Sequence, residues 1–291
     1  MNISLGKPIS EELIRLLGDF INYSKILLKD DSINSELKIH LFRKTVKNIR
    51  ALIKMSRYAL GKKLYAETNI FFRDLNRIVS DQRDSSVFLD TLKAHTNNKR
   101  LTSFLATRLL HYKDSFYNQS RITGTFRDIQ SILENSNAFL ESFPKKIKKE
   151  KLYIKGVIKM YRQSQRAFLV SAKNPCKENN HEWRKKIKYL WHQLEFFYQF
   201  YPVEIEKLAQ DLEQISNHLG IEHDIRALEF FLENNFHLSN SGKYALLFKK
   251  FAKVREYHFS IALQNGSSFY NTNNAFFQSL PKNLFNNKPG I

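Results

Sequence analysis

The sequence predicts an all-α protein made of two related helical halves, and three observations carry that prediction. Nine glycines and six prolines among 291 residues are too few to punctuate many short strands. Apolar residues recur at helical spacing, and nowhere does a period-two alternation persist. A basic pattern near His40 returns near His181, a period long enough to mark a repeated structural unit.

The elements follow in order. Ser10, with Glu11 and Glu12 after it, reads as an N-cap, and Leu13, Leu16, Leu17, Phe20 and Ile21 give the first helix its apolar face. A second helix is expected from Ser35 to about Leu60, stopped by Gly61. Helices over Leu64 to Val79, Ser85 to Thr96, Leu101 to Tyr117 and Thr123 to Leu140 complete the first half. Phe143-Pro144 breaks the pattern before a long helix to about Ser171. After a loop through Asn174, Pro175 and Asn179, a helix runs from His181 to Tyr201. Patterns over Ile205 to His218, Ile225 to Glu233 and Gly242 to Leu263 follow, and residues 264–291, rich in Asn and Ser, read as an irregular tail. The expected organisation is one helical domain over residues 1–265, with repeat halves at about 10–140 and 145–263.

Composition bounds the function. The aliphatic and aromatic content, 42% hydrophobic, supports a full core rather than disorder. The lone Cys176 makes neither an internal disulfide nor a cysteine metal site. No N-terminal apolar stretch reads as a signal peptide and no run has the length of a membrane span, so a cytoplasmic setting is expected.

The net charge of +19 is local. Residues 38–66 hold nine Lys or Arg and no acid, and residues 143–188 hold fifteen against three. The remaining residues carry 23 bases and 25 acids. A solvated surface mixes both signs, whereas segregated cations build a field that concentrates anions.

The repeated pattern is H-x-x-R-K-x-x-K: His40, Arg43, Lys44 and Lys47, then His181, Arg184, Lys185 and Lys188. Asp84 follows the first histidine by 44 residues and Asp224 the second by 43. At 100° per residue, Arg43, Lys44, Lys47, Arg50 and Lys54 share an arc of roughly 140° with His40. Val46, Ile49 and Ile53 fall outside it, facing a neighbour. A third row, Lys148, Lys151, Lys155, Lys159, Arg162 and Arg166, spans roughly 80°. Like charges at i,i+4 each cost a few tenths of a kcal/mol, so uninterrupted ladders oppose helix stability unless an anion uses them. A chain of phosphates suits rows extending over several turns: Arg gives bidentate contacts, Lys point charges, and each His a donor.

These paired motifs resemble the CHAD family, the conserved histidine α-helical domain, over about residues 10 to 265. The closer copy is His181-Glu182-Trp183-Arg184-Lys185-Lys186-Ile187-Lys188, and Tyr161-Arg162 through Arg166 is similar to the family's preceding basic segment. The sequence departs from the family pattern at Val79-Ser80, in place of Leu-Gly, and at His223, in place of Arg. The resemblance implies two pseudo-symmetric helical bundles whose basic helices line a central groove or pore. It also implies binding of inorganic polyphosphate and association with polyphosphate granules. The expected contacts are His40, Arg43, Lys44, Lys47, Arg50, Lys54, Lys151, Lys155, Lys159, Arg162, Arg166, His181, Arg184, Lys185 and Lys188, with Asp84 and Asp224 structural.

Nucleic acid is the alternative partner, because any basic groove attracts a phosphodiester backbone; the aromatic residues, however, sit at core-like positions. An enzyme of phosphate esters or anhydrides is a further alternative. Glu204-Ile205-Glu206-Lys207 has the wrong spacing for the E-x-E-x-K strand of triphosphate tunnel enzymes, and no P-loop or H-E-x-x-H occurs. His218 and His223 are five apart, a poor metal spacing on a helix, and no carboxylate at fixed spacing orients His40 or His181 as a nucleophile. The expectation is a non-catalytic protein without metal, cofactor or membrane partner.

Overall fold

A computed structural model describes residues 3–4, 7–79, 84–96, 98–116, 119–143, 150–236 and 244–286. Lys148 and residues 80–83 lie outside these, as does the side chain of Asp84. All regular structure among the described residues is helical.

The first half comprises α1 (Ile9–Lys29), α2 (Ser35–Met55), α3 (Arg57–Leu60), α4 (Lys62–Ile78), α5 (Asp84–His95), α6 (Lys99–Phe116), α7 (Gln119–Glu134) and α8 (Asn137–Ser142). The second comprises α9 (Lys151–Lys173), α10 (Lys177–Glu195), α11 (Pro202–Phe236), α12 (Ala245–Thr272) and α13 (Asn274–Asn286).

Local chemistry explains most boundaries. Asn34 caps α2, its Oδ1 accepting from the Leu37 amide at 2.9 Å. The single helix expected from Ser35 to about Leu60 is broken at Ser56 into α2 and α3, and it is α3 that Gly61 ends, with φ of +75°, a conformation costly to a residue with a Cβ. α1 begins one residue earlier than expected, behind Pro8, and Ser10 is buried rather than capping. Its first turn is held by Glu12, a buried carboxylate that accepts from the Ser4 amide at 2.8 Å and pairs with Arg15 at 2.7 Å.

Three further expectations need correction. The single helix over Thr123 to Leu140 is two, α7 and α8, parted at Asn135 and Ser136. The separate helices over Ile205 to His218 and Ile225 to Glu233 are one helix, α11, which passes without interruption through Leu219-Gly220. Continuous burial of Leu212, Ile215, Leu219, Ile225, Leu228 and Leu232 outweighs the propensity cost of one glycine, roughly 1 kcal/mol. The tail from residue 264 is likewise not irregular: α12 continues to Thr272 and α13 follows. Phe269, Tyr270, Phe277 and Leu280 are buried there, and the Phe277 ring stacks 3.9 Å from that of Tyr161. Aromatic burial of this kind overrides Asn and Ser content, since polar residues need only occupy the opposite face.

Two apolar cores form, and neither belongs to one half. The larger joins Leu16 of α1, Phe42 and Ile49 of α2, Phe72 of α4, Val157 of α9, Trp183 and Leu190 of α10, Leu212 of α11 and Phe269 of α12. The smaller joins Phe88 and Leu92 of α5, Leu105 and Leu109 of α6, Ile225 and Leu228 of α11 and Phe251 of α12. α11 and α12 run through both, so cutting the chain at the repeat boundary would divide each core.

Candidate polyanion-binding face

α2 and α10 lie side by side and antiparallel. The Gln193 amide donates to the Ala51 carbonyl at 3.0 Å, while Arg50 and Lys54 stand 5.7 and 4.8 Å from the centroid of the Tyr189 ring. Farther along, Lys44 shares a cavity with Glu195. This antiparallel pairing sets the end of the α2 row, Arg50 and Lys54, beside Tyr189, with Lys185 and Lys186 near Lys54, whereas Lys44 lies toward the far end of α10. The α2 row alone, fifteen residues from His40 to Lys54, extends over about 21 Å of helix axis.

Each row is anchored on its outer flank. Arg43 donates through Nη1 to the Val79 carbonyl at 3.3 Å, at the end of α4. Arg184 lies against α11, where a Cβ at Gly220 would stand 3.2 Å from its Nη2. Val79 and Gly220 belong to the two sequence segments that precede Asp84 and Asp224. The His181 ring stands 5.0 Å from that of His223 in the same segment, and the segment is a stretch of helix, not the turn its glycine suggests.

The remaining residues divide. His40 and Lys44 are exposed, and Lys47, Arg50 and Lys188 are half-buried along the rows. Lys185 pairs with Glu182 of its own helix, and Lys186 meets the same carboxylate at 3.0 Å. Those two hydrogen bonds overcome burial and hold the Glu182 carboxyl below its ordinary range. Lys185 is therefore locally compensated. Of the α9 row, Lys155 and Lys159 converge on the Tyr58 ring at 4.7 and 5.8 Å. Arg57 also stands over the Tyr58 and Tyr65 rings and lies near Lys54, which links this end of α9 to the end of α2. Lys151 is exposed in the first turn of α9. Arg162 instead lines a cavity with Tyr161 and Phe277, and Arg166 is exposed. Among the described residues no hydrogen bond or ion pair joins these two arginines to α2 or α10. Of the expected third row, Lys155 and Lys159 thus share the Tyr58 ring, while Arg162 and Arg166 lie farther along the same helix.

Three participants were not foreseen. Tyr58 and Tyr189 separate the cations as aromatic spacers, each offering its ring to two or more of them, and Arg57 shares the Tyr58 ring with Lys155 and Lys159. Arg57 was visible as a base inside the acid-free segment, but nothing in helical periodicity foretold the break at Ser56 that redirects it.

Crowding shows in the titration of the face. Burial, followed by the charges of Arg50, Lys186, Lys185 and Arg57, pushes the Lys54 ammonium down to about 7. Burial and then Lys185 and Arg184 hold His181 below the ordinary histidine value. Acids near the face among the described residues include Asp74, bonded to Arg73 and near Arg50, Glu182, and Glu195, bonded to His192.

No group of three or more His, Cys, Asp or Glu among the described residues could hold a metal ion, and no described helix is long and apolar enough to cross a membrane. Fold and face together define an all-helical bundle protein with a cationic helix pair. The chain belongs to the CHAD domain family, whose model matches residues 22–233 of the 291. That span includes α2, α9 and α10 entire. No curated protein matches the chain.

Proposed function

We propose that the paired α2–α10 face, extended at one end by Arg57, Lys155 and Lys159, forms a groove that binds inorganic polyphosphate. The observation that carries this reading is Lys54. A lysine held near pH 7 first by burial and then by four surrounding cations marks a site assembled beyond what it can keep fully charged alone. A polyanion laid along the seam supplies the missing countercharge and lets every ammonium protonate.

The equivalent anchoring of Arg43 at Val79 and Arg184 beside Gly220 supports pseudo-symmetry between the two halves. A linear polymer without bases suits the face better than nucleic acid. Tyr189 is buried and Tyr58 is covered by Lys155, Lys159 and Arg57, so neither ring is open for base stacking. The protein acts on this reading as a non-catalytic binder that associates with polyphosphate granules.

Calorimetric titration of long-chain polyphosphate into the wild-type chain and into a Lys47→Ala/Lys188→Ala variant tests it. Loss of about tenfold or more in affinity, with helical content unchanged, is the expected result. Equal affinity of the two proteins would place the binding elsewhere.

A further inference from the structure

Where α1, α2 and the end of α10 meet, beside the cationic rows, lies a cavity of about 400 Å³. Small-molecule sites have this size and are lined by aromatic carbon with a few placed polar groups. Here Phe20, Trp191 and Tyr198 supply ring surface, and Lys44, Asn48 and Glu195 the polar atoms. A polymer of phosphate alone has no use for such rings.

Each polar group has a distinct capability. The Asn48 Oδ1 is buried without a hydrogen-bond partner among the described residues. A χ2 rotation that exposed both amide atoms would present one donor and one acceptor to the cavity, the pair that matches the N6 and N7 edge of adenine. The Glu195 carboxylate, held by His192 Nδ1 at 3.1 Å, can accept from the vicinal hydroxyls of a ribose. Lys44 belongs both to the cavity and to the α2 row, where Lys47 follows it on the same face. The Trp191 ring lies parallel to that of His192, with 7° between planes, so a flat heterocycle extends an existing stack.

The geometry points to a purine nucleoside polyphosphate as a ligand of this corner, with its base in the aromatic cavity and its phosphates on Lys44 and Lys47. The phosphate half of this inference rests on the α2 row as a phosphate-binding element, and the base half does not. Adenine is the base that Asn48 fits best. The cavity gives one end of the groove a preference for a nucleoside-capped phosphate chain over a bare one.

The test uses the full chain with ATP, inorganic tripolyphosphate and adenosine, read by calorimetry and tryptophan fluorescence. Of the two tryptophans, Trp183 is fully buried, so ligand quenching reports on Trp191. ATP is expected to bind at least tenfold more tightly than tripolyphosphate and to quench. Asn48→Ala and Tyr198→Ala, with folding checked by circular dichroism, should erase that advantage while leaving the long-chain polyphosphate titration unchanged. Equal affinity for ATP and tripolyphosphate, with polyphosphate still bound, would overturn the cavity assignment and leave the polyphosphate reading standing. Failure of every inorganic phosphate to bind would sink the polyphosphate reading; quenching by adenosine would then still support the cavity, and its absence would remove that too.

Discussion

The ammonium of Lys54 lies 4.8 Å from the centre of the Tyr189 ring, joining the end of the α2 row to the middle of α10. Cation–π contact gives Lys54 a partner that carries no charge, so the pair holds two helices together without neutralising the face. The stabilisation is small beside the cost of burying an ammonium among four cations.

Lys54 fixes a pH dependence. Its folded value, about 7, lies below the ordinary 10.5, so the unfolded chain holds more protons between those limits and stability rises as pH increases from about 7 to 10. Lys54→Met removes the buried charge and keeps the bulk. It should raise the melting temperature at pH 7 by a few degrees and flatten that rise, as thermal unfolding at pH 7 and pH 9.5 would show.

Polyphosphate should draw protons onto the face. A bound polyanion raises Lys54 and His181 from their depressed values, so affinity strengthens as pH falls through each. Titrations at pH 7.5 in buffers of differing ionisation enthalpy should reveal net proton uptake. Lys54→Met should reduce it at that pH, and His181→Gln should reduce the further gain below pH 6.5.

Gly156 sets the approach of α9 to α2. A Cβ there would stand 2.0 Å from the Met55 carbonyl oxygen, a backbone atom that cannot swing away. Gly156→Ala should destabilise the protein by about 3 kcal/mol or more, despite alanine's better helix propensity. An unchanged denaturation midpoint would show that α9 does not cross α2 so closely.

Glu12 anchors the N-terminus through Arg15 and the Ser4 amide, and those contacts carry its carboxyl down to about 2. Because the folded value lies below the unfolded 4.5, its contribution is complete above about 4.5 and disappears as pH falls toward 2. Glu12→Gln should lower the melting temperature at pH 7 and converge with wild type near pH 2.5, measured by circular dichroism.

Much of this architecture is legible in the sequence because helices obey local rules. Asn34 and the apolar spacing of α2 mark its start and its buried face, and the two basic patterns fall on helices that pack together. Gly220 misleads because a glycine alone cannot say whether it ends a helix or lets a guanidinium approach one. The 264–286 segment misleads because its aromatic stripe is spread among Asn and Ser, and burial becomes evident only when Tyr161 faces Phe277. Helical spacing placed Arg162 and Arg166 in line with Lys155 correctly along α9, but which face of α9 meets α2 depends on the crossing at Gly156, a tertiary fact. The split of the cores between halves is of the same kind, since it follows from α11 and α12 being long enough to enter both.

The central claim, that the α2–α10 face is a polyphosphate groove, is tested most directly by competition at two salt concentrations. Labelled long-chain polyphosphate on the wild-type protein is challenged with single-stranded DNA, double-stranded DNA and short phosphates. The account predicts that polyphosphate outcompetes both DNAs and that its affinity falls steeply with salt, the logarithmic slope being about −4 or steeper. It also predicts that Arg43→Ala/Lys47→Ala/Arg184→Ala/Lys188→Ala abolishes the binding, whereas Arg166→Ala changes it little. Displacement by DNA as effective as by polyphosphate, or full binding by the fourfold variant, would contradict it.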